Sequence, residues 1–224
     1  MGDASAGITI DVDLRGEWSH VRDQGGRSAC LACATSDAHT HCHSLDTPLS
    51  AEFLFYHSAK RMADRTGAGG LTFDAVDSAL QSEGQPSEHE WPYQATQPSP
   101  WTSPAVTLRW YGGFGPATPL ALTDIDASLR VGKPVVLGVK LTAIFMDYRG
   151  RTTPIPGPGL GFGAHAILAV GLGAHVTAGP VVLVRNSWGP TWGLGGHAWI
   201  EQSYFADKLI DYRTVSGQSS VPSP

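Results

Sequence analysis

Two different spacings of apolar residues divide this chain. From Ala29 to about Leu45 good helix formers follow a Gly-Gly turn and stop before Pro48, which predicts a helix. Ala51 to about Arg65 and Leu71 to about Glu83 carry apolar residues at helical spacing and predict two more. After Thr107 the spacing shortens. Val106 to Tyr111, Pro134 to Leu141, His165 to Leu172, Val181 to Arg185 and His197 to Ile200 are short, β-branched runs between Gly- and Pro-rich turns, and each predicts a strand. One helix, Thr123 to Val131, interrupts them, with Thr123 expected as N-cap and Asp124 and Asp126 complementing the dipole. The expected architecture is therefore α+β, with a helical half (about 12–105) and a sheet or barrel half (about 106–212). Gln97 to Pro104 is the expected crossover, Arg151 to Phe162 an expected loop, and 213–224 a flexible tail, disordered from Ser216 onward.

Chemistry enters with three groups in a fixed order. Gln24-Gly-Gly-Arg-Ser-Ala-Cys30 supplies a thiol with a glutamine six positions before it, His165 follows 135 positions later, and Asn186-Ser-Trp-Gly189 comes after that. A thiol of ordinary pKa, about 8.5, is mostly protonated at neutral pH, so an imidazole that takes its proton turns Cys30 into a nucleophile. An amide oxygen on Asn186 would fix the tautomer and orientation of His165 without adding charge. The Gln24 side-chain amide and the Cys30 backbone N–H, at a helix start, would stabilise the oxyanion that forms when the thiolate attacks a carbonyl. A lone buried Cys is ordinarily a small hydrophobe and a lone His a satisfied polar group. Their joint order and flanks argue for chemistry.

The same residues carry a resemblance. Asn186-Ser-Trp-Gly-Pro-Thr-Trp-Gly-Leu-Gly-Gly-His-Ala-Trp-Ile200 resembles the closing segment of papain-like cysteine peptidases almost position for position. Gly69-Gly70 resembles the glycine pair of that family's substrate cleft, and Glu90-Trp-Pro-Tyr93 its Tyr-Pro-Tyr stretch. In that family His and Asn lie about 130–150 residues after the nucleophile. Here they lie 135 and 156 after it, so Asn186 is slightly beyond the usual range. The likeness runs from about Val12 to Tyr212. It implies a two-lobed fold, a helical N-terminal lobe and an antiparallel β-barrel-like C-terminal lobe, with the active site in the cleft between them. It also implies a peptidase acting through an acyl-thioester on Cys30, with His165 as general base and acid.

Three positions depart from the family pattern. Arg27 stands where the nucleophile loop usually has a disulfide-forming cysteine, Leu31 replaces the aromatic residue after the nucleophile, and Cys33 sits where Phe is common. The resemblance further assigns Leu71, Thr72, Gly138, Gly163 and Ala164 to the main specificity pocket. These are small or apolar with no acid among them, so a hydrophobic or aromatic residue is expected just before the scissile residue. Gly69 and Gly70, which could be only a flexible turn, would let the substrate backbone approach closely and pair in β fashion. Trp188 completes the expected substrate-binding set, and Trp188 and Trp192, otherwise simple core residues, would shield the orienting amide from water.

Composition fits a compact enzyme: 224 residues, 42% hydrophobic and 16% charged. A net charge of −5 argues against nucleic-acid binding, and no run of about 18 apolar residues could span a bilayer. The expected partners are a peptide or protein substrate and an inhibitory or regulatory protein, with no cofactor. The first residues lack a basic segment followed by an apolar core, and three cysteines are too few for a multi-bridge framework, so a cytoplasmic location is expected, with delivery outside the cell as an alternative. About 29 residues precede Cys30 and no inhibitory prosegment is expected, which points to a selective processing peptidase. Two other readings keep the same residues: a transferase or ligase that passes the acyl group to an amine or thiol, and a catalytically idle binding module. His39-Thr-His-Cys42-His43 places two imidazoles and a thiol on one helix face, but no fourth ligand is evident, so a structural role is expected and no metal.

Overall fold

A computed structural model describes residues 7–116, 121–150, 153–218 and 221–222. Along the chain run β1 (Ile8–Asp13), α1 (Cys30–Cys42), α2 (Ala51–Ala59), α3 (Phe73–Ser82), β2 (Leu108–Arg109), β3 (Gly112–Phe114), α4 (Leu122–Arg130), β4 (Val135–Leu141), α5 (Ala143–Met146), β5 (Phe162–His175), β6 (Gly179–Arg185), β7 (His197–Glu201), α6 (Phe205–Lys208), β8 (Leu209–Gly217) and β9 (Val221–Pro222). Two compact units result, each discontinuous in sequence: residues up to Asp23 with 116–214, and 24–115 with the segment from Val215. Among the described residues no helix is long and apolar enough to cross a membrane.

The sheet unit is antiparallel, in the order β8–β4–β5–β6–β7. Strand β5 is its spine: its first half pairs with β4, its second half with β1, and β6 lies along the other side. The Val- and Leu-rich runs of β4 and β6 are buried almost throughout, because α4 and the segment 204–205 cover them. Ile125 and Leu129 of α4 pack with Leu137, Ile167, Val184, Ile200 and Tyr204 in one core. Gly171 marks where β1 presses closest on β5: a Cβ there would run into the Val12 carbonyl.

In the helical unit, α1 is buried on nearly every side from Leu31 to Thr40. It ends in a Schellman turn, with Ser44 in the left-handed region, its N–H on the His41 carbonyl and the Leu45 N–H on that of Thr40. This turn stops the helix before the expected Leu45. Ser50 caps α2, its Oγ accepting from the Phe53 N–H at 3.0 Å while donating to the Trp91 carbonyl at 2.6 Å. Helix α2 closes at Ala59, short of the expected Arg65, because Asp64, Thr66 and Gly67 form a separate turn built on the Asp64 carboxylate.

Four other expectations are corrected. The N-cap of α4 is Ala121 with no side-chain cap, and Thr123 lies inside the helix. Asp124 does occupy the first turn, where Tyr212 Oη donates to its carboxylate at 2.7 Å. The strand expected over Val106 to Tyr111 shrinks to Leu108–Arg109, since Trp110 leaves it to exchange both backbone hydrogen bonds with Gln85. The tail from Ser216 is ordered where described: Ser216 and Gly217 extend β8 onto β3, and Val221–Pro222 pairs with β2. Its residues 219, 220, 223 and 224 lie outside the described residues, as do 151 and 152 of the expected loop. The rest of that loop is pinned by Ile155, which exchanges backbone hydrogen bonds with Trp199 and Glu201. Gln97 to Pro104 fall within the helical unit, and the chain passes to the sheet unit after Gly115.

Burial sets the acid stability of both units. His39, His57 and His197 are each pushed down to about 4, chiefly because burial disfavours the charged ring. Unfolded, each would titrate near the ordinary 6.5, so between pH 6.5 and 4 the unfolded chain binds more protons than the folded one. Stability is therefore complete above pH 6.5 and is lost as pH falls towards 4, by about 3 kcal/mol for a group shifted this far. Urea midpoints at pH 7, 5.5 and 4.5 should fall in that order; a flat series would show that these rings are not buried neutral.

Candidate active site

The sheet unit holds an imidazole–amide pair. His165 sits on β5 opposite Val139 of β4, and Asn186 follows β6 directly. The Asn186 N–H donates to the Gly196 carbonyl at 2.9 Å, which fixes the backbone at this strand end. His165 Nε2 lies 2.7 Å from Asn186 Oδ1, and that oxygen also accepts the Ser187 N–H at 2.8 Å. An oxygen can only accept, so Nε2 carries the proton and Nδ1 keeps its lone pair. Asn186 Nδ2 is buried with no hydrogen-bond partner among the described residues.

Aromatic rings seclude the pair. Trp188 stacks on His165 with centroids 4.6 Å apart, Phe145 meets Trp188 edge-on at 5.6 Å, and Trp192 meets Trp188 edge-on at 5.7 Å. The Trp192 indole N–H donates to the Phe145 carbonyl, which locks this cluster onto α5. His165 is buried, and burial pushes its pKa down to about 4, with the Asn186 hydrogen bond acting in the opposite direction. Phe145 is the member that sequence reasoning missed. Its only signal was an aromatic residue in a four-residue helix capped by Thr142.

Gly163 and Ala164 precede His165 on β5 and are exposed. Gly163 has a φ of +58°, and a Cβ there would meet nothing within 4 Å. Gly138 is buried on β4, between Ala166 of β5 and Asp211 of β8. The Asp211 carboxylate is paired with Arg213.

The helical unit holds the thiol. Cys30 is the first residue of α1, half-buried, where helix N–H groups and the dipole favour a thiolate. Cys30, Cys33 and Cys42 are all thiols rather than disulfides. Gln24 is buried, its Nε2 donating to the Arg27 carbonyl at 2.8 Å, and Tyr93 Oη donates to the Gln24 carbonyl at 2.9 Å. Ser28 Oγ donates to the Ala68 carbonyl, tying the loop before Cys30 to the turn that carries Gly69 and Gly70. Gly70 has a φ of +93°, and neither glycine would bring a Cβ within 4 Å of any atom, so this stretch of backbone is open. Leu71 is half-buried, and Thr72 is exposed with its Oγ1 capping α3 through the Ala75 N–H.

Beneath this loop lies a group that sequence reasoning noted only as a departure. Arg27 forms a two-pronged pair with Glu52, NH1 to Oε2 at 2.6 Å and NH2 to Oε1 at 3.0 Å. NH1 also donates to the Gln94 carbonyl at 2.7 Å, and the guanidinium is flanked by the rings of Phe55, Tyr93 and Trp101.

A family model described as papain family cysteine protease matches residues 8–216. The chain belongs to the papain family of cysteine proteases. This papain-family chain is 28% identical over 192 residues to pro-cathepsin H of Bos taurus, covering 81% of the chain and 56% of that protein. It is also 28% identical over 209 residues to a probable cysteine protease, RDL6, of Arabidopsis thaliana, covering 88% of the chain and 55% of the relative. The chain thus spans little more than half the length of these curated relatives. Among solved structures it is similar in fold to xylellain, a cysteine protease from Xylella fastidiosa, with a TM-score of 0.71 at 22% identity, covering 96% of this chain and 89% of that one. The Carica candamarcensis cysteine protease CMS1MS2, solved in complex with E-64, gives a TM-score of 0.65 at 21% identity, covering 95% and 98%. The papain-like α+β fold expected from the sequence is therefore the fold of this family member.

Proposed function

We propose that this chain is a cysteine peptidase in which Cys30 is the nucleophile, His165 the general base and acid, Asn186 the orienting amide and Gln24 an oxyanion donor. The observation that carries the reading is the fixed tautomer of His165: Nε2–H is held by Asn186 Oδ1, which leaves Nδ1 as the base. Burial alone keeps this ring neutral, with a pKa of about 4, so it is ready to accept a proton. The proton would come from the Cys30 thiol, and the thiolate charge left behind is what would offset the burial of the imidazolium.

The thiolate then attacks the substrate carbonyl carbon and forms a C–S bond. Gln24 Nε2, placed by its hydrogen bond to the Arg27 carbonyl, would donate to the developing oxyanion beside the Cys30 N–H. The C–N bond breaks as His165 gives its proton to the leaving amine. Water, deprotonated by the same ring, hydrolyses the thioester and releases the acid. The open backbone at Gly69 and Gly70 would pair with an extended peptide. Leu71, Thr72, Gly138, Gly163 and Ala164 would receive a hydrophobic side chain just before the scissile residue, with Trp188 at the site's edge. A substrate library demanding Arg there would overturn that assignment. Three unbridged thiols fit a selective processing peptidase working in a reducing cytoplasm.

The deciding experiment is intact mass spectrometry after treatment with an epoxide or vinyl-sulfone peptide. One adduct is expected, at Cys30, absent in Cys30→Ala and strongly slowed in His165→Ala. A folded protein that takes no adduct, or takes it at Cys42, would overturn the reading.

A further inference from the structure

The C-terminal turn of α1 carries a second cluster that the peptidase reading does not use. His39, Cys42 and His43 each present a donor atom, and these three atoms all lie within 4.8 Å of one another. We propose that they form a binding site for a divalent transition-metal ion of borderline softness, the class to which zinc, nickel and cobalt belong.

The outer shell of such a site is already built. His39 Nδ1 lies 2.7 Å from Gln85 Oε1, while Gln85 Nε2 donates to Ser36 Oγ at 2.7 Å and to the Ser50 carbonyl at 2.9 Å. Those two donations identify the Gln85 oxygen, so His39 Nδ1 must carry the proton and Nε2 is a bare lone pair. This is how a carboxamide or carbonyl fixes the tautomer of a metal-bound imidazole. The ring is fully buried and neutral at physiological pH, as a ligand must be.

The inner distances fit as well. His39 Nε2 and His43 Nε2 are 3.1 Å apart. A tetrahedral ion with nitrogen ligands at 2.0–2.1 Å and a thiolate at 2.3 Å places nitrogens about 3.3 Å apart and nitrogen and sulfur about 3.6 Å apart. The nitrogens need hardly move. Cys42 Sγ, which donates to the His39 carbonyl at 3.2 Å, must leave that bond and close by on the order of 1 Å. The Tyr111 carbonyl, 3.1 Å from His43 Nε2, stands ready as a fourth donor that spacing along the helix could not reveal.

Two further features keep the place open. A Cβ on Gly112 would sit 2.7 Å from His39 Nε2, and one on Gly217 would sit 2.7 Å from the His43 ring, so both positions leave the cluster unfilled. The helix C-terminus also favours a cation. In the metal-free state His43 Nε2–H serves the Tyr111 carbonyl and His39 Nε2, and burial pushes the Cys42 thiol up to about 12. Binding would move the His43 proton to Nδ1 and expel the thiol proton to solvent, with the ion's charge offsetting the burial of the thiolate. His39 lies nine positions after Cys30, about 13–14 Å along a helix, so the ion would brace α1 against Tyr111 rather than touch the nucleophile.

The test is a cobalt(II) titration of the full chain carrying Cys30→Ala, which removes the nucleophile as a competing thiolate. One cobalt per chain is expected, with a near-ultraviolet thiolate-to-cobalt absorption that zinc displaces and one thiol proton released per ion. Adding Cys42→Ala should abolish the absorption, and adding His43→Ala should weaken binding at least tenfold. No thiolate absorption in the Cys30→Ala parent, or an absorption that survives Cys42→Ala, overturns the proposal. Should Cys42→Ala fail to fold, NMR of the parent decides: zinc must shift the His39 and His43 ring signals together, and unshifted rings would overturn it.

Discussion

Cys30→Ala should abolish peptide-bond cleavage, with a fall in kcat on the order of 10⁶-fold, the loss that follows removal of a nucleophile from a catalytic unit in another acyl-transfer enzyme. His165→Ala should cost about 10²–10⁴-fold, the usual contribution of a positioned general base. The double variant should be no worse than Cys30→Ala alone, because once the sulfur is gone the imidazole has no proton to take. Additive losses would place the two groups in separate functions. The pH profile supplies the second check. In Cys30→Ala the His165 ring keeps its burial and loses the thiolate, so NMR should find it titrating low, around 4. In the intact enzyme the ring should hold its proton to much higher pH, and activity should follow a bell: rising as the thiol ionises, falling as His165 deprotonates. An equal His165 pKa in both proteins, or a flat profile, would show that no ion pair forms.

The proposed site stands out in the sequence for a physical reason. Nucleophilic catalysis needs particular atoms, so Gln24, Cys30, His165 and Asn186 are its candidates by type and order. Strand β6 was legible for a similar reason, since a Val- and Leu-rich run bounded by Gly and Arg is a buried strand wherever it sits. What escaped depends on distant partners. Strand β1 is mostly exposed and becomes a strand only because β5 outruns β4 and leaves an edge for it. Strand β3 is Gly-Gly-Phe, with no periodicity. Its glycines are required because Ser216 and His39 crowd Gly112, a fact written some hundred residues downstream as well as on α1. Phe145, beside His165 and Trp188, is invisible for the same reason. The N-cap of α4 lies two residues before the expected Thr123 because no side chain caps this helix, so the cap signal at Thr123 had no structural counterpart.

Arg27 shows most clearly how a departure from the family pattern is compensated, and its removal should have the largest effect on stability. Where the resemblance leads one to expect a cysteine, the guanidinium grips Glu52, which is fully buried and also accepts the Trp101 indole N–H at 2.7 Å and the Gln94 N–H at 3.2 Å. Every strong partner of that carboxylate is therefore drawn from a different segment: the loop before Cys30, and two points beyond α3. Arg27→Ala would strand a carboxylate in an apolar, aromatic setting with only two neutral donors left, and such losses run to about 3–5 kcal/mol. Urea unfolding should show this, and Arg27→Lys should recover only part, since an ammonium cannot reproduce the two-pronged contact or lie flat among three rings. Glu52→Gln should cost less than Arg27→Ala, because the amide oxygen can keep one donor and the cation remains beside Phe55, Tyr93 and Trp101. The pair also bears on catalysis. The Arg27 carbonyl receives Gln24 Nε2, so a loosened loop should lower kcat in the folded variant while leaving KM nearly unchanged. A stability loss under about 1 kcal/mol would mean that the carboxylate takes up a proton or finds water instead, and that the aromatic walls, not the ion pair, hold this loop in place.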